Sequence, residues 1–157
     1  MSPVIAKMVV SAFALLFTGN CLATESLIGF WRAVDDGNKL ISIIELYLDE
    51  ATLNGRIVSI TDATGRQLNP ICEKCSGDLK NKSLIGYRFI RKLRRHDERW
   101  VGGEVVDLRP GIGQGTVAQC EIELVDGKAQ LLGYMFFGLV RGKATWERVA
   151  SNAASAQ

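Results

Sequence analysis

The chain contains 157 residues, of which 47% are hydrophobic and 23% are charged. These fractions are typical of one compact globular domain, and they exclude a disordered, collagen-like or multidomain chain. The formal net charge of +2 is too small to indicate that the protein as a whole binds nucleic acid. A domain of this length buries about 70% of the surface of its unfolded chain, so the four cysteines are not needed for stability.

Residues 1–23 have the pattern of a cleaved secretory signal peptide. One cation precedes an apolar run from residue 8 to residue 17, and small residues bound a cleavage tripeptide that ends at Ala23. The apolar run is shorter than the about 20 residues that a membrane-spanning helix needs. A lipoprotein acylated at Cys21 is the weaker alternative, because Asn20 stands where a small residue is expected.

Cleavage after Ala23 would leave one domain at residues 24–149 and a flexible polar tail at residues 150–157. We expect export to the periplasm of a Gram-negative bacterium, or secretion, where thiols meet an oxidising environment. The mature chain would keep Cys72, Cys75 and Cys120. Three cysteines allow at most one internal disulfide, so one of them would remain unpaired.

Eight β-rich runs separated by turn signals follow the leader. They span residues 29–34, 39–48, 53–60, 84–93, 99–108, 116–125, 129–137 and 139–149. Asp126-Gly127 is a strong hairpin signal, because a type I′ turn needs positive φ at both central residues. The longest connection, residues 61–83, is polar and rich in turn residues, and its only weak helical signal lies at residues 78–83.

Eight short strands at about ten-residue spacing predict an all-β domain, either a sandwich or an up-and-down antiparallel barrel. We favour a single eight-stranded barrel after the signal peptide, because closure removes both exposed sheet edges. A barrel of eight strands also encloses enough room for one small ligand.

Two short motifs at the ends of the mature chain resemble the lipocalin (calycin) barrel. Gly29-Phe30-Trp31 lies in the first strand and Trp146-Glu147-Arg148 in the last, and in that family a first-strand tryptophan packs against a basic residue of the final strand. The resemblance implies an indole at the closed end of the barrel with the guanidinium of Arg148 stacked on Trp31.

Further matches run in order over residues 28–149 and resemble a family of small exported bacterial proteins of unknown function (DUF2147-like). They are residues 53–58, 69–70, 72–77, 84–86, 100–105, 107, 120 and 132–134. The family implies a lipocalin-like fold and no established reaction. The chain departs from the family pattern at residues 107–116 and 141–144, so its ligand would differ if those loops rim a binding mouth.

The cysteines allow three interpretations. A structural disulfide is favoured, either between Cys72 and Cys75 or between one of them and Cys120. A catalytic dithiol lacks the strand-to-helix context that lowers a thiol pKa. A zinc site would need His96 as the fourth ligand, although that residue lies in a charged turn. We therefore expect no metal and no cofactor.

Residues 80–99 form a basic hairpin with interleaved aromatic residues. Its predicted patch for an anionic partner consists of Arg91, Lys92, Arg94 and Arg95. A solvated hairpin face is the plainer interpretation. Nucleic acid is not expected as a partner of an exported protein, although basic grooves with aromatic platforms do bind single strands.

The sequence has no Gly-x-Ser-x-Gly, His-Glu-x-x-His or phosphate-binding glycine motif, so we do not expect an enzyme.

We expect a carrier of a small hydrophobic or amphipathic ligand, such as a lipid or fatty acid, in the barrel. The alternative is an envelope module that docks an anionic surface or protein through residues 80–99. The predicted ligand-binding side chains are Trp31, Arg88, Trp100, Tyr134 and Arg148. Alternatively, Arg148 stacks on Trp31 and does not contact the ligand.

Overall fold

The computed structural model describes residues 26–35, 37, 39–135 and 139–150. Nine strands occur in this part of the chain. They are β1 (Gly29–Asp35), β2 (Leu40–Asp49), β3 (Thr52–Thr61), β4 (Gln67–Leu68), β5 (Arg88–His96), β6 (Arg99–Val106), β7 (Val117–Val125), β8 (Lys128–Met135) and β9 (Leu139–Val149). A short 3-10 helix spans Gly77–Leu79. The predicted signal peptide, most of the tail and the end of the predicted run 129–137 lie outside the described residues.

Eight of these strands form a closed antiparallel barrel, which confirms the predicted fold. Successive strands pair from β1 to β9, with β3 pairing directly with β5, and β9 pairs with β1 to close the sheet. Strand β4 lies outside this ring and pairs only with the end of β3. The turn at Asp126-Gly127 has φ values of 50° and 72°, as the hairpin signal predicted.

The predicted strand at residues 84–93 is wrong in its first part, because β5 begins only at Arg88. Gly86 has a φ of 80°, outside the range of a regular strand, and the amide of Tyr87 donates to the carbonyl of Leu84 across a turn. The amide of Gly86 donates 2.7 Å to the carbonyl of Ile57 instead, so this turn is tied to β3. The weak helical signal at residues 78–83 corresponds only to the 3-10 turn at Gly77–Leu79.

The barrel has a closed end filled with large side chains. Its fully buried large residues in this half come from five strands and include Trp31, Leu46, Leu53, Leu93 and Ile122. These residues lie near the strand ends that meet the turns 50–51, 97–98 and 126–127. Apolar burial is the main stabilising contribution to folding, so this packed half supplies the core of the domain.

No helix among the described residues is long and apolar enough to cross a membrane.

Candidate ligand-binding cavity

The opposite half of the barrel, the open end, contains a cavity of about 980 Å³. Small side chains at alternating positions of the strands create this space, because they point inward where large residues would fill the barrel. These positions are Ala33, Ser42, Ala118, Gly133, Gly142 and Ala144. Two residues further along the strands, at the closed end, Trp31 and Trp146 are buried.

The floor of the cavity is apolar and aromatic. Phe89 and Trp146 pack against each other with ring centroids 6.2 Å apart and an angle of 56° between their planes. Ile44, Ile57 and Leu131 line the wall beside them. Such tilted aromatic contacts are favourable beyond their buried area, so the floor is well defined. A hydrophobic group would be desolvated here without loss of a hydrogen bond.

The loop at residues 107–116, the mouth loop, forms one side of the cavity entrance. The amide of Asp107 donates to the carbonyl of Thr116 at 2.8 Å, and the amide of Gly115 donates to the carbonyl of Asp107 at 2.7 Å. Arg109 donates two hydrogen bonds, of 2.9 and 2.7 Å, to the carboxylate of Asp107, and this contact raises the pKa of Arg109. These bonds brace the base of the loop.

The segment of residues 70–75, the disulfide loop, forms the adjoining side of the entrance. Cys72 and Cys75 form a disulfide, which confirms the favoured structural interpretation and selects that pairing. The backbone amide of Lys74 donates to the Gln114 side chain at 3.3 Å. A Cβ added at Gly115 would lie 2.9 Å from the Cα of Cys75, so the two loops are in close contact.

Cys120 is the unpaired cysteine of the described chain, and it is buried. Burial, with the nearby charges of Glu104 and Glu121, raises the pKa of this thiol to about 12. A protonated, enclosed thiol is a poor nucleophile and a poor metal ligand. Within the described residues, no group of three or more His, Cys, Asp or Glu side chains is placed to hold a metal ion.

None of the five predicted ligand-binding side chains lines the cavity. Trp31 is completely buried below it, where its indole nitrogen donates to the carbonyl of Leu27 at 2.9 Å. The guanidinium of Arg148 lies 4.3 Å from the centre of the Trp31 ring, so the stack implied by the resemblance is present. Arg148 therefore stacks on Trp31, which is the alternative that the sequence left open, and it does not line the cavity.

The other three predicted residues lie on the outer wall or near the closed end. Tyr134 donates 2.6 Å to Glu121 outside the barrel, and this hydrogen bond raises the pKa of the phenol to about 12. Arg88 pairs with Asp49 at 3.1 Å, while Trp100 is half-buried on β6. The sequence interpretation selected these residues because they are large and polar or aromatic. It did not consider which side of the strand each residue faces, and neighbouring positions in a strand face opposite sides. Tyr134 follows Gly133, which faces the cavity, and so it faces outward.

The basic hairpin patch lies on β5 and extends toward the closed end, away from the cavity entrance. The Arg91 guanidinium is 3.8 Å from Glu104, and Arg95 donates to the carbonyl of Asp97. Lys92 and Arg94 are exposed, and neither has an ion-pair partner within the described part of the chain. The basic hairpin patch is therefore separate from the cavity inside the barrel.

The comparisons with known proteins agree with this geometry. A model of the family described as "Uncharacterized protein conserved in bacteria (DUF2147)" matches residues 29–148. Among solved structures, the chain is similar to protein HP1028 from Helicobacter pylori, described as belonging to the lipocalin family. The similarity has a TM-score of 0.67 at 16% identity and covers 83% of this chain and 87% of that one, which shows a shared fold. No curated protein matches the sequence. Because the family model spans most of the chain, this protein belongs to the DUF2147 family.

Proposed function

We propose that this protein binds a small hydrophobic or amphipathic molecule, such as a lipid or fatty acid, in the open half of its barrel. The main observation that supports this function is a cavity of about 980 Å³ whose deep wall is aliphatic and aromatic. Sites for small molecules are usually concave, mostly apolar and about 300–1,000 Å³ in volume. The cavity is at the upper end of that range.

The distribution of polarity supports an amphipathic ligand. Among the described residues, the charged side chains that line the cavity lie at its entrance, and they are Asp35, Glu73, Lys74, Asp107, Arg109 and Lys143. The floor around Phe89 is apolar. A ligand with one polar end would place its apolar part in the barrel and keep its polar end hydrated at the mouth, because burying an unpaired polar group is costly.

Export is part of this proposal. The signal-peptide pattern of residues 1–23 is the main argument for export. The disulfide between Cys72 and Cys75 supports export, because disulfides persist in oxidising compartments such as the periplasm. We also propose that the protein carries its ligand without chemically changing it. Cys120 is enclosed, and the Asp107 carboxylate at the mouth is held by Arg109, so neither is poised to react.

A pair of neighbouring substitutions on β7 tests the binding site. Ala118 lines the cavity, whereas Gln119 is exposed on the outer wall. Ala118→Phe would fill part of the open space, and Gln119→Phe would add the same ring outside the barrel. Binding is measured by titration with a fluorescent fatty acid that accepts energy from the tryptophans, among which Trp146 lines the site.

We expect wild type and Gln119→Phe to bind the fatty acid equally, and Ala118→Phe to bind it at least about fivefold more weakly, since overpacking a site costs about 1–3 kcal/mol. Circular dichroism confirms that both variants fold. Equal affinity of the two variants would refute the cavity as the site. Failure of the wild type to bind any member of a lipid and fatty-acid panel would refute the carrier function.

The alternative function is an envelope module that docks an anionic partner through Arg91, Lys92, Arg94 and Arg95. The exposure of Lys92 and Arg94 without acidic partners among the described residues favours it. This function predicts binding that weakens steeply with salt. Neutralising Arg91, Arg94 and Arg95 together should abolish that binding and leave the fatty-acid affinity unchanged, which separates the two functions.

A further inference from the structure

Exposed large hydrophobic side chains are concentrated at the open end of the barrel. Seven such residues occur in the described part of the chain, and five of them lie on or just below the rim of the cavity. The five, called the apolar rim, are Val34, Ile71, Ile112, Val117 and Leu139. The other two, Ile28 and Leu48, lie at the closed end. Clustered exposed apolar residues mark surfaces that contact membranes or proteins, whereas single ones need no explanation.

Ile112 is the most exposed member of the apolar rim, with 100% of its surface accessible. It is at the tip of the mouth loop between Gly111 and Gly113, and both glycines line the cavity entrance. The base of the loop is braced by Asp107 and Arg109, and the full exposure of Ile112 places its side chain away from the protein. The loop therefore presents an aliphatic group beside the opening.

The charges around the rim indicate what this surface contacts. Four exposed cations among the described residues accompany the apolar rim, and they are Lys39, Lys74, Arg109 and Lys143. Of the acids lining the entrance, Glu73 is exposed, Asp35 is half-buried, and half-buried Asp107 is bound to Arg109. Within the described residues, the exposed lysines Lys39, Lys74 and Lys143 therefore outnumber the one exposed acid at the entrance, because Arg109 and Asp107 neutralise each other. Cations beside exposed aliphatic groups complement lipid phosphates above an acyl-chain layer.

We propose that the open end of the barrel docks on the surface of a lipid bilayer, with Ile112 inserted among the lipids. The cavity then opens directly toward the bilayer, and a hydrophobic ligand passes between the two without crossing water. The passage of ligand rests on the proposed function, but the docking itself does not. The predicted patch on β5 takes no part in this contact, because it extends toward the closed end.

Flotation with vesicles of phosphatidylcholine and phosphatidylglycerol tests the docking. The chain is purified from its exporting host, so wild type and variants share the same N-terminus. We expect Ile112→Ser to lower the vesicle partition coefficient about tenfold to a hundredfold, the effect of transferring one isoleucine out of water. Leu48→Ser is the matched control, because it removes an exposed aliphatic side chain at the closed end. It should leave partitioning unchanged.

Three results would overturn the proposal. In the first, the wild type does not bind vesicles. In the second, wild type and Ile112→Ser bind vesicles equally. In the third, vesicle binding is lost when Arg94 and Arg95 are neutralised but not when Ile112 is changed. A wild-type dimer that Ile112→Ser dissociates, without vesicle binding, would show that a second copy covers the rim. Ala118→Phe should bind vesicles like wild type while losing the fatty acid, so the two proposals can fail independently.

Discussion

Removing the side chain of Arg148 should destabilise the closed end of the barrel. Its guanidinium is 4.3 Å from the Trp31 ring centre and donates to the backbone carbonyls of Ser26 and Ile28. A cation–π contact contributes about 0.5–2 kcal/mol, depending on how far it is desolvated. Each hydrogen bond adds about 0.5–1 kcal/mol at an exposed site. We therefore expect Arg148→Ala to lower the free energy of unfolding by about 2 kcal/mol.

Urea denaturation followed by tryptophan fluorescence measures this loss. With a slope of about 1–3 kcal/mol per molar urea, the midpoint should fall by about 1 M. Arg32→Ala is the matched control, because Arg32 is also exposed on the outer wall and contacts Glu147 only at 3.9 Å. Such surface ion pairs contribute about 0–1 kcal/mol, so this variant should be nearly neutral.

The same two variants test the position of Arg148 relative to the ligand. Because the guanidinium is on Trp31 at the closed end, Arg148→Ala should leave the fatty-acid affinity unchanged after correction for the folded fraction. A loss of stability below about 0.5 kcal/mol would refute the cation–π account. A tenfold loss of fatty-acid affinity in the folded variant would restore Arg148 as a ligand anchor.

Two further predictions concern the packing of the barrel. Gly103→Ala should lower the unfolding free energy by about 3 kcal/mol, since its Cβ would lie 2.5 Å from the carbonyl oxygen of Arg91. Gly142→Ala, which meets nothing within 4 Å, should change it by less than about 0.5 kcal/mol; equal thermal shifts for the two variants would contradict this. Iodoacetamide at pH 8 should leave Cys120 unmodified in the native protein, because its thiol has a pKa of about 12, and should modify it in denaturant. Rapid labelling of the native protein would show that the thiol is accessible.

The barrel could be predicted from the sequence because its signals are local. Alternating side chains and turn residues determine most strands, and the Asp126-Gly127 turn has the φ values that its hairpin requires. The contact between Trp31 and Arg148 followed from the resemblance of the first and last strands to the lipocalin pattern. These features depend on short segments, so they can be inferred without knowledge of the packing.

The cavity could not be predicted in the same way, because small side chains produce it. Ala118 and Gly133 contribute to the site by leaving space, and a search for large aromatic anchors passes over them. The entrance depends on contacts between distant segments, such as the bond from the Lys74 amide to Gln114, 40 residues along the chain. The small residues at the open-end halves of β8 and β9, namely Gly133, Gly142 and Ala144, were the signal that could have indicated the open half.

Native mass spectrometry of the protein purified gently from the cells that produce it tests the central claim most directly. The account predicts that wild type and Gln119→Phe carry a bound hydrophobic or amphipathic molecule, and that Ala118→Phe carries it at clearly lower occupancy. The claim is contradicted if wild type carries no ligand and takes up none from a lipid panel. It is equally contradicted if Ala118→Phe retains the same bound mass at the same occupancy.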